Sequence, residues 1–294
     1  MARYAGPAAS GRCRTCRVGS SPGSPGGRGS PGIPGIPSLG SSAAARPADR
    51  RSTPPVTGRF AVVIPTLQRS PLLAALLDAV CADPLVHEVV VVNNAPADLH
   101  PNDARVRVIS PGRNLLVNRS WNLGVQESSA PLLWIANDDI VLPDGLLAAV
   151  AQRLHQGAGI VGPSPISVGP LAATGRRVGR IRFAPIAFRR PGFGTAMFLR
   201  RENWHPIPAD LQLWCGDDYL FSRQRELNYE FSGVSLGTMM ALTSRAPEFT
   251  AIKQQDLATF AERYPDSPYR DHHRALVATH RAARAVLRRL PRGR

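Results

Sequence analysis

The stretch PLLWIANDDIVLPDG, residues 131–145, decides the fold. Its first half, Leu132 to Ala136, is a short apolar run without polar alternation, the pattern of a strand buried on both faces of a sheet. Polarity then switches at once, with Asn137, Asp138 and Asp139 in succession. Ionised carboxylates beside a core are costly unless something cationic meets them, so two at the mouth of a buried strand point to a bound cation or a polar ligand. In open α/β sheets that mouth is where ligands bind. The plainer reading makes both acids loop markers ahead of a helix that starts at Pro143, Asp144 and Gly145 and runs through Leu146, Leu147, Val150 and Leu154, with Asp144 as N-cap. A cap accounts for Asp144. It leaves unexplained three polar residues ahead of Ile140, Val141 and Leu142, a short apolar continuation.

Upstream of that stretch, apolar strands alternate with helical patterns. FAVVIPT from Phe60 predicts a buried parallel strand ending near Pro65, followed by a loop of Thr66, Gln68, Arg69 and Ser70 and a helix over Pro71 to Cys81. HEVVVVNNAP from His87 predicts a second strand with Asn93 and Asn94 at its polar end. VRVIS, residues 106–110, predicts a third, and a helix carrying Trp121 and Val125 begins near Asn114. The alternation predicts a parallel, doubly wound sheet with right-handed connections. Thr66, Asn93 and Asp139 then fall at strand C-termini around one crevice.

Downstream the pattern loosens after Gly162. Residues 163–191 carry six arginines, Arg176, Arg177, Arg180, Arg182, Arg189 and Arg190, in a loop with one strand near Ile181. Such a loop is ordinarily solvated, and over a crevice it could also meet phosphate oxygens. GFGTAMFLRRENW, residues 192–204, predicts a strand whose small residues Gly194, Thr195 and Ala196 permit close approach of a ligand or of another backbone. Trp214, Cys215, Gly216, Asp217 and Asp218 open a helix through Tyr219, Leu220 and Arg223, giving a second acid pair. Helix capping needs only one of those acids. Strands over Tyr229 to Leu236 and Met239 to Thr243 and helices over Gln254 to Tyr264 and His272 to Leu290 complete the chain.

The formal charge of +15 suggests a polyanion partner until its distribution is read. Residues 1–59 carry +8 and residues 271–294 carry +6, so residues 60–270 are nearly neutral at +1. Thirty-five of the 36 basic residues are Arg, with Lys253 the exception, a bias that reflects coding rather than phosphate contact. A nucleic-acid partner is therefore not expected. No apolar run approaches the roughly 18 residues of a membrane span, and the N-terminus lacks a signal peptide's apolar core, so a cytoplasmic location is expected. The basic C-terminal helix, with Leu276, Val277, Val286, Leu287 and Leu290 beside its arginines, suits packing on its own domain and also peripheral contact with anionic lipid at the membrane's inner face. Residues 1–57, rich in Gly, Pro, Ser and Arg, cannot bury enough surface to order themselves. Three parts follow: a disordered tail over 1–57, a folded domain over 58–265 and a basic helix over 266–294. Four cysteines, two of them as CRTC (Cys13, Cys16), make no disulfide framework and only a weak zinc motif.

In order and spacing, FAVVIPTLQR, VVVVNNAP, NLLVNRSWNLG (114–124), WIANDDI, GFGTAMFLRR and WCGDDYLFSRQ together resemble the family 2 glycosyltransferases of the GT-A fold, over roughly residues 58–245. The resemblance implies an inverting transfer of a hexosyl or deoxyhexosyl unit from a nucleoside-diphosphate sugar to a glycan, lipid-linked or small-molecule acceptor, in glycan or cell-envelope polysaccharide synthesis. It implies a nucleotide-sugar pocket of Pro65, Thr66, Gln68, Arg69, Asn93, Asn94, Asn122, Asn137 and Asp138. It further implies an acceptor side of Gly194, Thr195 and Trp214, a Mn²⁺ or Mg²⁺ ion on Asp139, and Asp218 as base beside Asp217. Two departures stand out. Asn137 occupies the first position of the family's DXD motif, and residues 236–245 lack the His that completes the metal site in many relatives. The alternative they leave is a GT-A-fold module that binds nucleotide or glycan with little or no catalysis.

Overall fold

FAVVIPT forms the centre of the fold because the side chains from Phe60 to Ile64 are all buried. It becomes β1 (Phe60–Thr66) of a computed structural model that describes residues 58–169, 179–239, 246–265 and 268–289, all within the unit Thr53–Arg294. The tail, including Cys13 and Cys16, lies outside the described residues, as do Arg176 and Arg177 of the basic loop.

Around β1 the strands are β2 (Val86–Asn93), β3 (Val106–Ile109), β4 (Leu132–Ala136), β5 (Ile140–Val141), β6 (Ile160–Pro163), β7 (Val168–Gly169), β8 (Arg182–Pro185), β9 (Ala196–Arg200), β10 (Tyr229–Ser232) and β11 (Leu236–Thr238). The helices are α1 (Leu73–Ala82), α2 (Leu116–Gln126), α3 (Leu146–His155), α4 (Gly216–Ser222), α5 (Thr250–Arg263) and α6 (Pro268–Arg289). Eight strands join in the order β3-β2-β1-β4-β9-β6-β10-β8, and β5-β11-β7 form a small second sheet. β1 is parallel to β2 and β4, as β2 is to β3 and β6 to β10. The chain thus has the expected doubly wound α/β architecture on a mostly parallel sheet.

Alternation along β1 produces two cores. Phe60, Val62 and Ile64 pack with α1 and α3 through Leu76, Val80, Leu147 and Val150. Ala61 and Val63 face Trp121 of α2, with Phe193, Phe221 and Tyr269 in the same cluster. Each fully buried aliphatic side chain contributes about 1.5–3 kcal/mol. α2 comes so close that a Cβ on Gly124 would lie 2.3 Å from Val63 Cγ1. Tyr269 ties α6 to the body. Its hydroxyl donates to Ile186 O at 2.6 Å and accepts the Asn228 N–H at 2.7 Å, and its ring meets Phe221 edge-on at 4.9 Å.

Several expectations are corrected. The 192–204 stretch yields β9 only from Ala196, after a short 3₁₀ turn, and β9 runs antiparallel to both β4 and β6. β6 is a strand that the pattern did not announce. Its four residues sit directly after a helix, too short for alternation to register. Asp144 does not cap α3: Gly145 occupies that position with φ 72° and no side-chain cap bond forms. Nor do Asp217 and Asp218 cap α4, whose N-cap is Cys215 at φ 59°. β11 ends at Thr238, short of the expected Met239 start, and residues 240–245 lie outside the described residues.

Candidate functional site

The C-terminal ends of β1, β2 and β4 are knitted by side chains that a sheet alone would leave unpaired. Thr66 Oγ1 donates to Asp138 Oδ2 at 2.6 Å and accepts the Gln68 N–H at 2.7 Å, joining β1 to β4. Gln68 adopts φ 55°, an uncommon left-handed conformation for a residue with a side chain. Its Nε2 donates to Asn93 Oδ1 at 3.0 Å and Ala97 O at 2.7 Å, joining β1 to β2. Burial pushes the Asp138 carboxyl up, helped by the neighbouring Asp139 and opposed by the Thr66 hydroxyl.

Asp139 lies deeper, 5% exposed. Its Oδ2 accepts from Thr238 Oγ1 at 2.7 Å, across the pairing of β5 with β11, while its Oδ1 is buried without a hydrogen-bond partner. An orphaned carboxylate oxygen in a polar mouth is the kind of atom a hard cation satisfies.

The second acid pair is reached through two contacts. The Asn137 N–H donates to Thr195 O at 3.1 Å, and a Cβ on Gly194 would stand 2.8 Å from Asp217 Oδ2. Glycine at 194 is therefore what lets the β9 turn lie against the acids. Arg189, from the loop after β8, pairs with both of them: Nη1 is 3.1 Å from Asp217 Oδ2, and Nε donates to Asp218 Oδ1. Burial and the adjacent Asp218 push the Asp217 carboxyl up to about 6, against the pull of Arg189. Burial is the largest of these influences, which is why the raising ones prevail although the guanidinium outweighs the neighbouring carboxylate.

Pro65, Thr66, Asn94 and Asp138 line one small cavity together with Asn114, Leu213 and Phe249. Its volume is about 40 Å³. Gln68 instead lines a larger hollow of about 670 Å³ between α1 and the segment Leu99–Asp103. Other expected residues are engaged elsewhere. Asn122 spends its amide on the backbone of Ile207, donating to its O at 2.8 Å and accepting its N–H at 2.9 Å. Asn94 accepts the Leu115 N–H at 2.8 Å and donates to Ser120 Oγ at 2.9 Å, setting the start of α2. Arg69 pairs with Glu248 at 3.1 Å, half-exposed. Trp214 carries Lys253 Nζ at 4.1 Å from its ring centroid. Asp139 and Asp218 occupy separate polar settings in this state, one on Thr238 and the other on Arg189.

In the sequence Arg189 is one loop arginine among six, and little marks Glu248, Phe249 or Asp256. No local pattern distinguishes the arginine that meets the acids from its neighbours. For Asp256 the signal is faint, a lone acid at a helix position whose face becomes buried only in three dimensions.

Residues 61–210 match the sequence model of glycosyl transferase family 2, and the chain belongs to that family of glycosyltransferases. No curated protein matches it. Among solved structures it is similar to GalNAc-T7 with UDP, GalNAc and Mn²⁺ (11% identity, TM-score 0.48, covering 63% of this chain and 44% of that one). It is also similar to residues 1–349 of TarS from S. aureus (13%, 0.46, 71% and 73%). A third is the mannosyltransferase PcManGT from Pyrobaculum calidifontis in complex with GDP-Man and Mn²⁺ (15%, 0.46, 80% and 81%). This chain spans less than half the length of the first.

Proposed function

We propose that this glycosyltransferase inverts the anomeric centre of a hexosyl or deoxyhexosyl unit as it moves that unit from a nucleoside-diphosphate sugar to an acceptor hydroxyl. The observation that carries the reading is the link between the two polar stations: Asn137, beside Thr66 and Asp138, is hydrogen-bonded to Thr195, and the adjoining Gly194 faces Asp217 with no room for a Cβ. The donor's nucleotide sits by Pro65, Thr66, Asn94 and Asp138, with Gln68, Arg69, Asn93 and Asn137 at its margin. The acceptor lies by Gly194, Thr195 and Trp214.

Asp218 removes the acceptor's hydroxyl proton as that oxygen attacks the anomeric carbon. For this the hydroxyl takes the place that Arg189 Nε holds in the present state. Asp217 keeps the pair's second charge beside the guanidinium. Asp139, through its unpartnered Oδ1, would hold Mn²⁺ or Mg²⁺. Among the described residues no group of three His, Cys, Asp or Glu could bind a metal ion, so water and diphosphate oxygens would complete the shell. Bound there, the ion would offset the charge that builds on the departing diphosphate.

The setting fits glycan or envelope polysaccharide synthesis in the cytoplasm, with a glycan, lipid-linked or small-molecule acceptor. Among the described residues no helix is long and apolar enough to cross a membrane. α6 buries Val277 and leaves Leu276 exposed, which supports peripheral contact as well as packing. The 1–57 tail, the 58–265 catalytic domain and the 266–294 helix remain the proposed division.

The test is incubation with a panel of nucleoside-diphosphate sugars and Mn²⁺ or Mg²⁺, following nucleotide release and thermal shift. Metal-dependent release with one donor supports the transferase. A thermal shift without turnover, for any acceptor offered, supports instead the alternative of a binding module, which the Arg189 contact with Asp218 favours.

A further inference from the structure

A buried acid that this chemistry leaves unused is Asp256, on α5. Its side chain is fully enclosed, 0% exposed. Three successive backbone N–H groups converge on it: Gln212 N at 3.1 Å from both oxygens, Leu213 N at 2.7 Å and Trp214 N at 2.7 Å from Oδ2. Charge-assisted bonds of this kind are short, strong and directional.

The same segment is held from its other side by Asn118 of α2. Its N–H donates to Gln212 O at 3.1 Å, and its Nδ2 donates to Leu211 O and Trp214 O, each at 3.1 Å. Asp256 therefore takes the donors of this loop and Asn118 takes its carbonyls. The chain then turns through Cys215 at φ 59° and Gly216 directly into Asp217 and Asp218. A Cβ on Gly216 would lie 2.1 Å from Asn118 Oδ1, so the turn is pressed against its anchor. Lys253 of α5 lies over Trp214, and Tyr264, just past the end of α5, meets Tyr219 edge-on at 5.5 Å.

We propose that Asp256 is a positioning residue of the transfer reaction. It touches neither donor nor acceptor. It fixes the backbone of Gln212 to Trp214, and so the place from which Asp218 meets the acceptor hydroxyl. The inference rests on the reading of Asp218 as base, and it lies on an element beyond the 61–210 family match.

The experiment compares wild type, Asp256→Asn, Asp218→Asn and the double variant. Asn keeps the volume but loses the charge and one acceptor. Asp256→Asn should lower kcat about 10-fold to 100-fold, the scale of a misplacement of about 1 Å, and leave donor KM within about twofold. In the Asp218→Asn background the same change should cost no more than about twofold, because the group being positioned is already gone. Amide hydrogen exchange at Gln212, Leu213 and Trp214 should accelerate while that of β1 and β4 stays slow. A wild-type kcat for Asp256→Asn, full multiplication of the two losses, or unchanged exchange at the three amides would each overturn the proposal. Should Asp256→Asn fail to fold, Asp256→Glu, with the charge on a longer arm, carries the same comparison. If the wild-type chain transfers no sugar, the transferase reading fails, and exchange in Asp256→Asn still decides whether the loop depends on this acid.

Discussion

Arg189 Nη1 lies 3.1 Å from Asp217 Oδ2, with the guanidinium's Nε bonded at the same time to the next carboxylate in the chain. One cation thus serves two acids, and its removal acts on both. In Arg189→Met the Asp217 carboxyl loses the charge that pulls it down, so its affinity for protons rises. The acidic limb of the pH profile of kcat/KM is expected to move to higher pH by about one unit or more. Above that limb kcat should at least equal wild type, since the acceptor no longer competes with Arg189 for Asp218. A limb that stays in place would separate the ion pair from the chemistry.

Asp217 gives a stability prediction of unusual sign. Its carboxyl is raised from the ordinary 3.8 to about 6, so between those values the folded chain holds a proton that the unfolded chain has released. Stability from this group is complete below the unfolded value and is lost as pH rises through about 6. Asp217→Asn, which cannot ionise, should therefore gain on wild type from about pH 4 to about pH 6 and keep that gain above it. Urea denaturation of both proteins at pH 4 and pH 7.5 reads the difference. A gap that is the same at both pH values would show that Asp217 titrates normally.

The two acid stations should fail differently. Asp218→Asn is expected to cut turnover by about 10²-fold to 10⁴-fold and leave donor binding largely intact, the mark of a lost base. Asp139→Ala should weaken donor binding in the presence of Mn²⁺ more than in its absence. Isothermal titration with a nucleoside diphosphate, with and without the ion, measures both. Equal loss of donor affinity in the two variants would contradict the separate roles.

Phe249 and Leu213 close a cavity of about 40 Å³ beside Thr66 and Asp138. Small-molecule pockets usually measure about 300–1,000 Å³, so a nucleotide entering here must displace one of these side chains. Phe249→Ala should speed nucleotide association in stopped-flow fluorescence by about tenfold, with less effect on dissociation. An unchanged association rate would mean that the nucleotide takes another route, the hollow beside Gln68 being the obvious one.

Much of the first half of the fold was legible because its strands are long, apolar and bounded by polar residues. β1, β2 and β4 needed only continuous runs such as VVVV to be recognised. The second half was less legible. β6, β7, β8 and β11 have two to four residues each, too few for a period, and their pairing is decided by distant partners such as Phe231 against Pro163. Residue type and position at strand ends single out Thr66 and Asp138, which the structure joins by a hydrogen bond. Asn122, which the resemblance sets near the nucleotide, has its amide on the Ile207 backbone, a pairing across 85 residues that no local pattern shows. Arg189 and Asp256 depend on contacts spanning 29 and 42 to 44 residues, which no local window contains.

Tyr269 gives the last helix a reach well beyond its own packing. Its hydroxyl holds Ile186, three residues before Arg189, and Asn228, at the entry to β10. A protease that clipped the chain just ahead of this tyrosine would leave every proposed reacting group untouched. It would nonetheless unfasten the loop that delivers the guanidinium, so an enzyme shortened in this way would lose its control over the acids while keeping the acids themselves.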